Sequence, residues 1–212
     1  MSRNNASRPF PAIVLFSFLL FLVSCAPGPY LVYSPDDSTF APVPPSFVAP
    51  SVPAASLPPV PDIWEIVDAG FADVTGDGIP EWVMAVRRPW RDWPIMAWHG
   101  GQSPIAGFKD ADGKSCHLIV MTPEGREIWA GSALPRQIRA MAAGDIDADG
   151  AAEVATLEAD YADRPGRPAR FIDVWKWDVF GFSLFHRSRR GSFRELLLYD
   201  TDNDGILDII IR

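Results

Sequence analysis

Apolar positions along residues 62–212 come in short runs and lack the three-to-four spacing of an amphipathic helix. "EWVMAV" starts at Glu81, "EVATL" at Glu153 and "ILDIII" at Ile206. Each carries β-branched residues, which suit a pleated, half-buried surface. "CHLIVMT" and "REIWAG" read as a hairpin around Pro123-Glu124-Gly125. "RFIDVWKWD" and "GFSLFHRS" read as a second one across Val179-Phe180-Gly181, with Gly181 supplying the turn. Adding "RQIRAMAAGD" and "FRELLLYD" fills the region with strands, so the expected class is all-β and antiparallel.

The N-terminus follows a different pattern. Arg3 and Arg8 precede an unbroken apolar-leaning run, Ala12 to Val23, followed by Ser24 and Cys25. A basic start, a short apolar stretch and small residues describe a secretory signal, because a membrane span needs about 20 apolar residues. The ending "LVSC", Leu22 to Cys25, resembles the lipobox of bacterial lipoproteins. That resemblance implies a signal over 1–24, acylation of Cys25, and attachment to the cell envelope through lipid. With alanine at position 26, it favours the outer membrane in a Gram-negative host. From Ala26 to Pro61 there are eleven prolines in 36 residues. Proline removes backbone donors and favours polyproline II, so 25–61 is expected to be a lipidated tether, with the folded domain over 62–212. Fully extended, the tether would reach roughly 110 Å at about 3.1 Å per residue.

Each strand-like run named first is preceded by an acidic nonapeptide. "DVTGDGIPE" spans 73–81, "DIDADGAAE" 145–153 and "DTDNDGILD" 200–208. All three follow a DxDxDGxxD-like pattern: an acid at position 1, a side-chain oxygen at 3, Asp at 5, Gly at 6 and an acid at 9. Calcium is a hard cation that takes 6 to 8 oxygens, and alternate side chains of a tight loop can converge on one ion. The expected ligands are Asp73, Thr75, Asp77 and Glu81; Asp145, Asp147, Asp149 and Glu153; and Asp200, Asp202, Asp204 and Asp208. The position-7 carbonyls of Ile79, Ala151 and Ile206 can add a neutral oxygen to each set. Magnesium prefers to keep its waters, and no soft ligand is present for zinc or copper. An EF-hand needs Glu at position 12, where this chain has Met84, Thr156 and Ile211. A loop closed at position 9 and leading into a strand instead resembles the FG-GAP/VCBS repeat family. The resemblance implies calcium-binding, four-stranded blade-like repeats, here a partial β-propeller. Loop one has Thr75 in place of an aspartate, and its weaker charge implies weaker binding.

The loops lie 72 and 55 residues apart. Counted from loop to loop, the chain offers two four-stranded units, with one unpaired strand ("IWEIVDAGFAD") before them and one ("ILDIIIR") after them. Propellers typically have 4 to 8 blades. The terminal strands must therefore pair with each other, several chains must share a ring, or the units must stack. The first interval also holds an excursion, 89–115. Its Asp110–Gly113 turn places Phe108 and Cys116 where a calcium loop needs acids, so it reads as a turn alone. Trp90, Trp93, Trp98 and His99 stand there beside Arg87, Arg88 and Arg91. If exposed, such residues stack sugars or anchor a protein partner; if buried, they cover sheet edges.

Charge and composition narrow the function. The chain carries −8 overall, and loss of the signal leaves 17 basic against 27 acidic side chains, a net of −10. That balance argues against nucleic acid and for cations. Cys25 and Cys116 are the only cysteines, so lipidation of the first leaves the second free. The histidines 99, 117 and 186 show no metal spacing, and there is no Gly-x-Ser-x-Gly elbow, phosphate loop or Cys-x-x-Cys. The expected role is therefore non-enzymatic, a calcium-binding module for binding or scaffolding at the envelope. An envelope hydrolase using the tryptophan-rich loop and an assembly subunit whose sheets are completed by partners are the competing readings.

Overall fold

The structure, a computed structural model, describes residues 29–49, 57–91, 100–101 and 103–212. Cys25, Trp93, Trp98 and His99 lie outside these residues. Among the described residues every regular element is a strand. These are β1 (Leu31–Ser34), β2 (Thr39–Pro42), β3 (Glu65–Ala72), β4 (Glu81–Pro89), β5 (Lys114–Met121) and β6 (Glu127–Ala130). They are followed by β7 (Gln137–Gly144), β8 (Glu153–Ala159), β9 (Phe171–Asp178), β10 (Gly181–Arg187), β11 (Leu196–Tyr199) and β12 (Asp208–Ile211). The strands form three four-stranded antiparallel sheets, ordered β3-β4-β5-β6, β10-β9-β8-β7 and β11-β12-β1-β2.

The sheets correct the expected division of the chain. Each acidic nonapeptide joins the first two strands of a single sheet: β3 to β4, β7 to β8, and β11 to β12. "IWEIVDAGFAD" therefore opens its own sheet, and "FRELLLYD" belongs to the third sheet, not the second. The third sheet is completed by β1 and β2, from the stretch read as a tether. β1 pairs with β12 from Leu31↔Ile211 to Tyr33↔Ile209. The prolines obscured this hairpin, yet none interrupts a strand: Pro35 lies in the turn after β1, and Pro42 is the last residue of β2. Proline is tolerated at strand ends and edges, so a proline-rich stretch can still hold short strands between its prolines.

The middle sheet is buried on both faces. Successive side chains of a strand point to opposite sides. In β8, Val154 joins Val83, Ala85, Leu118 and Val120 of the first sheet in one core. Ala155 and Leu157 join Tyr33, Leu196, Ile209 and Ile211 of the third sheet in another. All seven residues of β8 are buried as a result. β7 packs against β3 on one side and β11 on the other. The approach to β3 is close, since a Cβ on Gly70 would stand 2.9 Å from the Ala143 methyl. Asp68 reaches across this seam to accept the Met141 N–H at 2.9 Å, and burial pushes its carboxyl pKa upward.

The outer faces of the end sheets are covered by the proline-rich chain on either side of 50–56. On the first sheet, Val60 and Trp64 pack over Met84, Val86, Ile119 and Met121. On the third, Phe47 lies against Tyr30 and Tyr199, with ring centroids 5.5 and 5.6 Å away. Stacked units need such end caps, because an uncovered terminal face would leave its apolar side chains in water.

One turn is also corrected. Gly181 is the first residue of β10, paired with Asp178, and the bend falls on Val179 and Phe180. Gly181 instead makes room for a neighbour: a Cβ there would sit 2.7 Å from Trp129 Nε1. The hairpin at 123–125 forms as expected, with Gly125 at φ 88° and the Thr122 N–H donating to the Arg126 carbonyl at 2.8 Å.

Candidate metal centres

The three nonapeptides share one hydrogen-bond frame. The N–H at position 6 donates to the Oδ2 of position 1: Gly78 to Asp73 at 2.7 Å, Gly150 to Asp145 at 3.0 Å and Gly205 to Asp200 at 2.9 Å. The N–H at position 7 donates to the Oδ1 of position 5: Ile79 to Asp77, Ala151 to Asp149 and Ile206 to Asp204, at 2.8, 3.0 and 2.8 Å. The N–H at position 2 donates to the carboxylate at position 9: Val74 to Glu81, Ile146 to Glu153 and Thr201 to Asp208, each at 3.0 Å. Gly78, Gly150 and Gly205 have φ of 87°, 93° and 90°, as the turn requires. Position 4 is left-handed as well, at Gly76 (72°), Ala148 (59°) and Asn203 (63°). At Ala148 this conformation has no local signal, since alanine seldom adopts it. In every case the position-9 acid is the first residue of the following strand.

This frame converges hard oxygens. One carboxylate oxygen from each of Asp73, Asp77 and Glu81 lies within 4.8 Å of the others. Asp145, Asp147 and Glu153 meet the same limit, as do Asp200, Asp202 and Asp204. Thr75 is turned onto its neighbour, its hydroxyl donating to Glu81 Oε1 at 2.9 Å. Asp208 stays outside its group, held by the N–H and hydroxyl of Thr201. The donor set fits a divalent cation. Its oxygens are hard, and the backbone N–H groups fix the carboxylates without supplying positive charge.

In the second loop the chain supplies a cation of its own. Lys176 Nζ, on β9, lies 2.5 Å from Asp147 Oδ2, 2.8 Å from Asp149 Oδ2 and 3.3 Å from Glu153 Oε1. The ammonium lowers the Asp149 pKa, and these carboxylates raise that of Lys176. The register shows why the other loops lack this partner. Val154 follows the acid at position 9 and pairs with Trp175, next to Lys176. The corresponding pairs are Trp82↔Met121, next to Thr122, and Ile209↔Tyr33, next to Ser34. Neither threonine nor serine carries charge.

Hydrogen bonds also connect the loops. The Ala152 N–H, at position 8 of loop two, donates to the Asp73 carbonyl of loop one at 2.7 Å. The Leu207 N–H, at position 8 of loop three, donates to the Asp145 carbonyl of loop two at 3.4 Å. Position 8 of loop one is Pro80, which has no N–H to offer. The series of bonds therefore starts at loop one.

Several other singled-out residues make contacts within the fold. The Trp90 indole donates to the Ile105 carbonyl at 3.1 Å, and Lys109 lies over its ring. Asp110 accepts the N–H groups of Asp112 and Lys114 and pairs with Arg87, as a turn does. His186 bonds to the Tyr33 hydroxyl at 2.6 Å and ties the N-terminal hairpin to the middle sheet. Cys116 is fully buried, and burial pushes its thiol up to about 12, leaving it inert. Ser115 Oγ and His117 Nε2 lie 2.7 Å apart, the spacing of a nucleophile and its base, but Ser115 has no exposed surface. A substrate cannot reach it. No known family profile matches this chain, and no curated protein aligns with it.

Proposed function

We propose that this protein is a calcium-stabilised β-repeat module of the FG-GAP/VCBS type, lipid-anchored through Cys25 and serving binding or scaffolding at the cell envelope. The shared hydrogen-bond frame of the three loops carries the reading: one geometry, repeated three times, gathers hard oxygens where each sheet begins its second strand. Asp73, Asp77 and Glu81 would hold one ion, and Asp200, Asp202 and Asp204 another. A bound ion would neutralise the like charges and lock the connection between two strands. At the middle loop calcium must compete with Lys176. The role is structural, and no step of catalysis is assigned. The intrachain pairing of β1 with β12 supplies the strands that a partner would otherwise have to provide.

Thermal melting in calcium and then in chelator tests the proposal. Each filled site should add about 2.7 kcal/mol at a hundred-fold excess of calcium over its dissociation constant. An unchanged melting temperature would reject it. Mass spectrometry of the membrane fraction, compared with Cys25→Ser, tests the anchor: the acylated mass should be lost in the variant.

A further inference from the structure

At the end of β4 away from the acidic loops, a cavity of about 240 Å³ is lined by Ile63, Trp64, Arg88, Pro89, Arg91 and His117. Two arginines line it, and no acid lines it among the described residues. Arg87, the preceding residue, shows how a guanidinium on this strand is normally satisfied: it pairs with Glu65 at 3.3 Å and with Asp110. Arg88 points to the opposite face and, among the described residues, has no carboxylate within ion-pair distance.

Its protein contacts use few of its donors. His117 Nδ1 lies 2.9 Å from the Gly131 carbonyl, so Nδ1 carries the proton and Nε2 accepts from Ser115. A protonated Nδ1 cannot accept from Arg88, although the two are 3.3 Å apart. Arg88 is left with the Gly131 carbonyl at 3.5 Å and the Trp64 ring, 5.4 Å from its Cζ. Burial lowers the Arg88 pKa, consistent with a guanidinium short of partners. No Arg88 nitrogen is both buried and unpaired among the described residues, so the donors it does not use are open to the cavity and available to a ligand.

We propose that this cavity binds a small organic carboxylate, with its charge on Arg88 and Arg91 and its body against Trp64, Ile63 and Pro89. The planar guanidinium matches a carboxylate bidentately, and the apolar wall favours a ligand with a compact ring or short chain over a bare ion. The volume suits a body of about one ring, somewhat below the roughly 300 Å³ at which pockets for drug-sized ligands begin. A sugar acid and a peptide C-terminus share this chemistry.

Saturation-transfer NMR on the full-length chain in calcium tests the site. The probes are sodium glucuronate, N-acetyl-leucine, glucose as a neutral match, and inorganic phosphate. At least one carboxylate should bind saturably and more tightly than phosphate, and glucose should not bind; the tighter carboxylate identifies the source. Arg88→Gln should weaken that binding at least about tenfold, and Arg88→Lys by less, since the charge survives without the fork. Arg88 has only one distant carbonyl acceptor and one ring contact to lose, so Arg88→Gln should melt close to wild type, and lost binding cannot then be ascribed to unfolding. Absence of saturable carboxylate binding, phosphate as the tightest probe, or unchanged binding in Arg88→Gln would overturn the proposal.

Discussion

The middle acidic loop and its two neighbours share a hydrogen-bond frame and differ in the positive charge available to it. In loop two Lys176 reaches three carboxylates from the adjoining strand. In loops one and three the equivalent register positions hold Thr122 and Ser34, and among the described residues no basic side chain pairs with their acids. The frame and the cation are therefore separable. Backbone N–H groups fold the loop, and the charge can be a side chain or an ion. A tethered ammonium is always present and costs no binding entropy, but it cannot match the 6 to 8 oxygens that calcium gathers. The middle loop should accordingly be indifferent to calcium and its neighbours should depend on it.

The largest effect should come from loop three. Asp200→Asn combined with Asp202→Asn should remove one calcium-dependent increment, about 2.7 kcal/mol at hundred-fold excess. Asp147→Asn in loop two should cost the same with calcium as with chelator. Chemical denaturation in both media checks the pair.

The middle sheet solves a second charge problem internally. Glu158 and Asp173 are fully buried, and Arg187 contacts both. Burial, reinforced by Asp173, raises the Glu158 pKa well above the usual carboxylate range. A folded-state carboxyl with a raised pKa holds its proton where the unfolded chain has lost it. Its contribution is fully present below the unfolded pKa and declines as pH rises toward the folded one. Wild type should thus lose about 1–2 kcal/mol of this contribution between pH 5 and pH 7. Glu158→Gln should flatten that slope in denaturation series across this range.

Lys176→Met should destabilise the chelated protein by about 1–2 kcal/mol, a value reduced by the partial exposure of the pair. Added calcium should restore the loss, because the vacated loop then resembles its neighbours. If calcium did not restore it, the equivalence of the three loops would fail. The smallest effect belongs to Ala148, left-handed at φ 59°. Ala148→Gly should relieve about 1 kcal/mol of strain, equally in both media, as read by the midpoint of denaturation.

Features set by neighbouring residues were legible in the sequence. The acids, the position-6 glycines, the strand opening at position 9 and the hairpin at 123–125 all depend on residues close along the chain. Features set by pairing register were not. Lys176 reaches Asp147 from 29 residues away, and only the β8–β9 register aims it there. The β1–β12 pairing joins the two ends of the described chain, and the prolines around β1 and β2 pointed to a tether. The frame of the repeat shifted by one strand for the same reason: a loop's sequence does not show whether it joins two sheets or lies within one. Gly181 has turn chemistry but serves Trp129, a neighbour no local pattern could supply.

The most direct measurement is the number of calcium ions per chain, by equilibrium dialysis and elemental analysis. Two are predicted for the wild type, in loops one and three, with Lys176 holding the middle loop. A calcium-free chain at saturation, melting at the same temperature in chelator, would contradict the account.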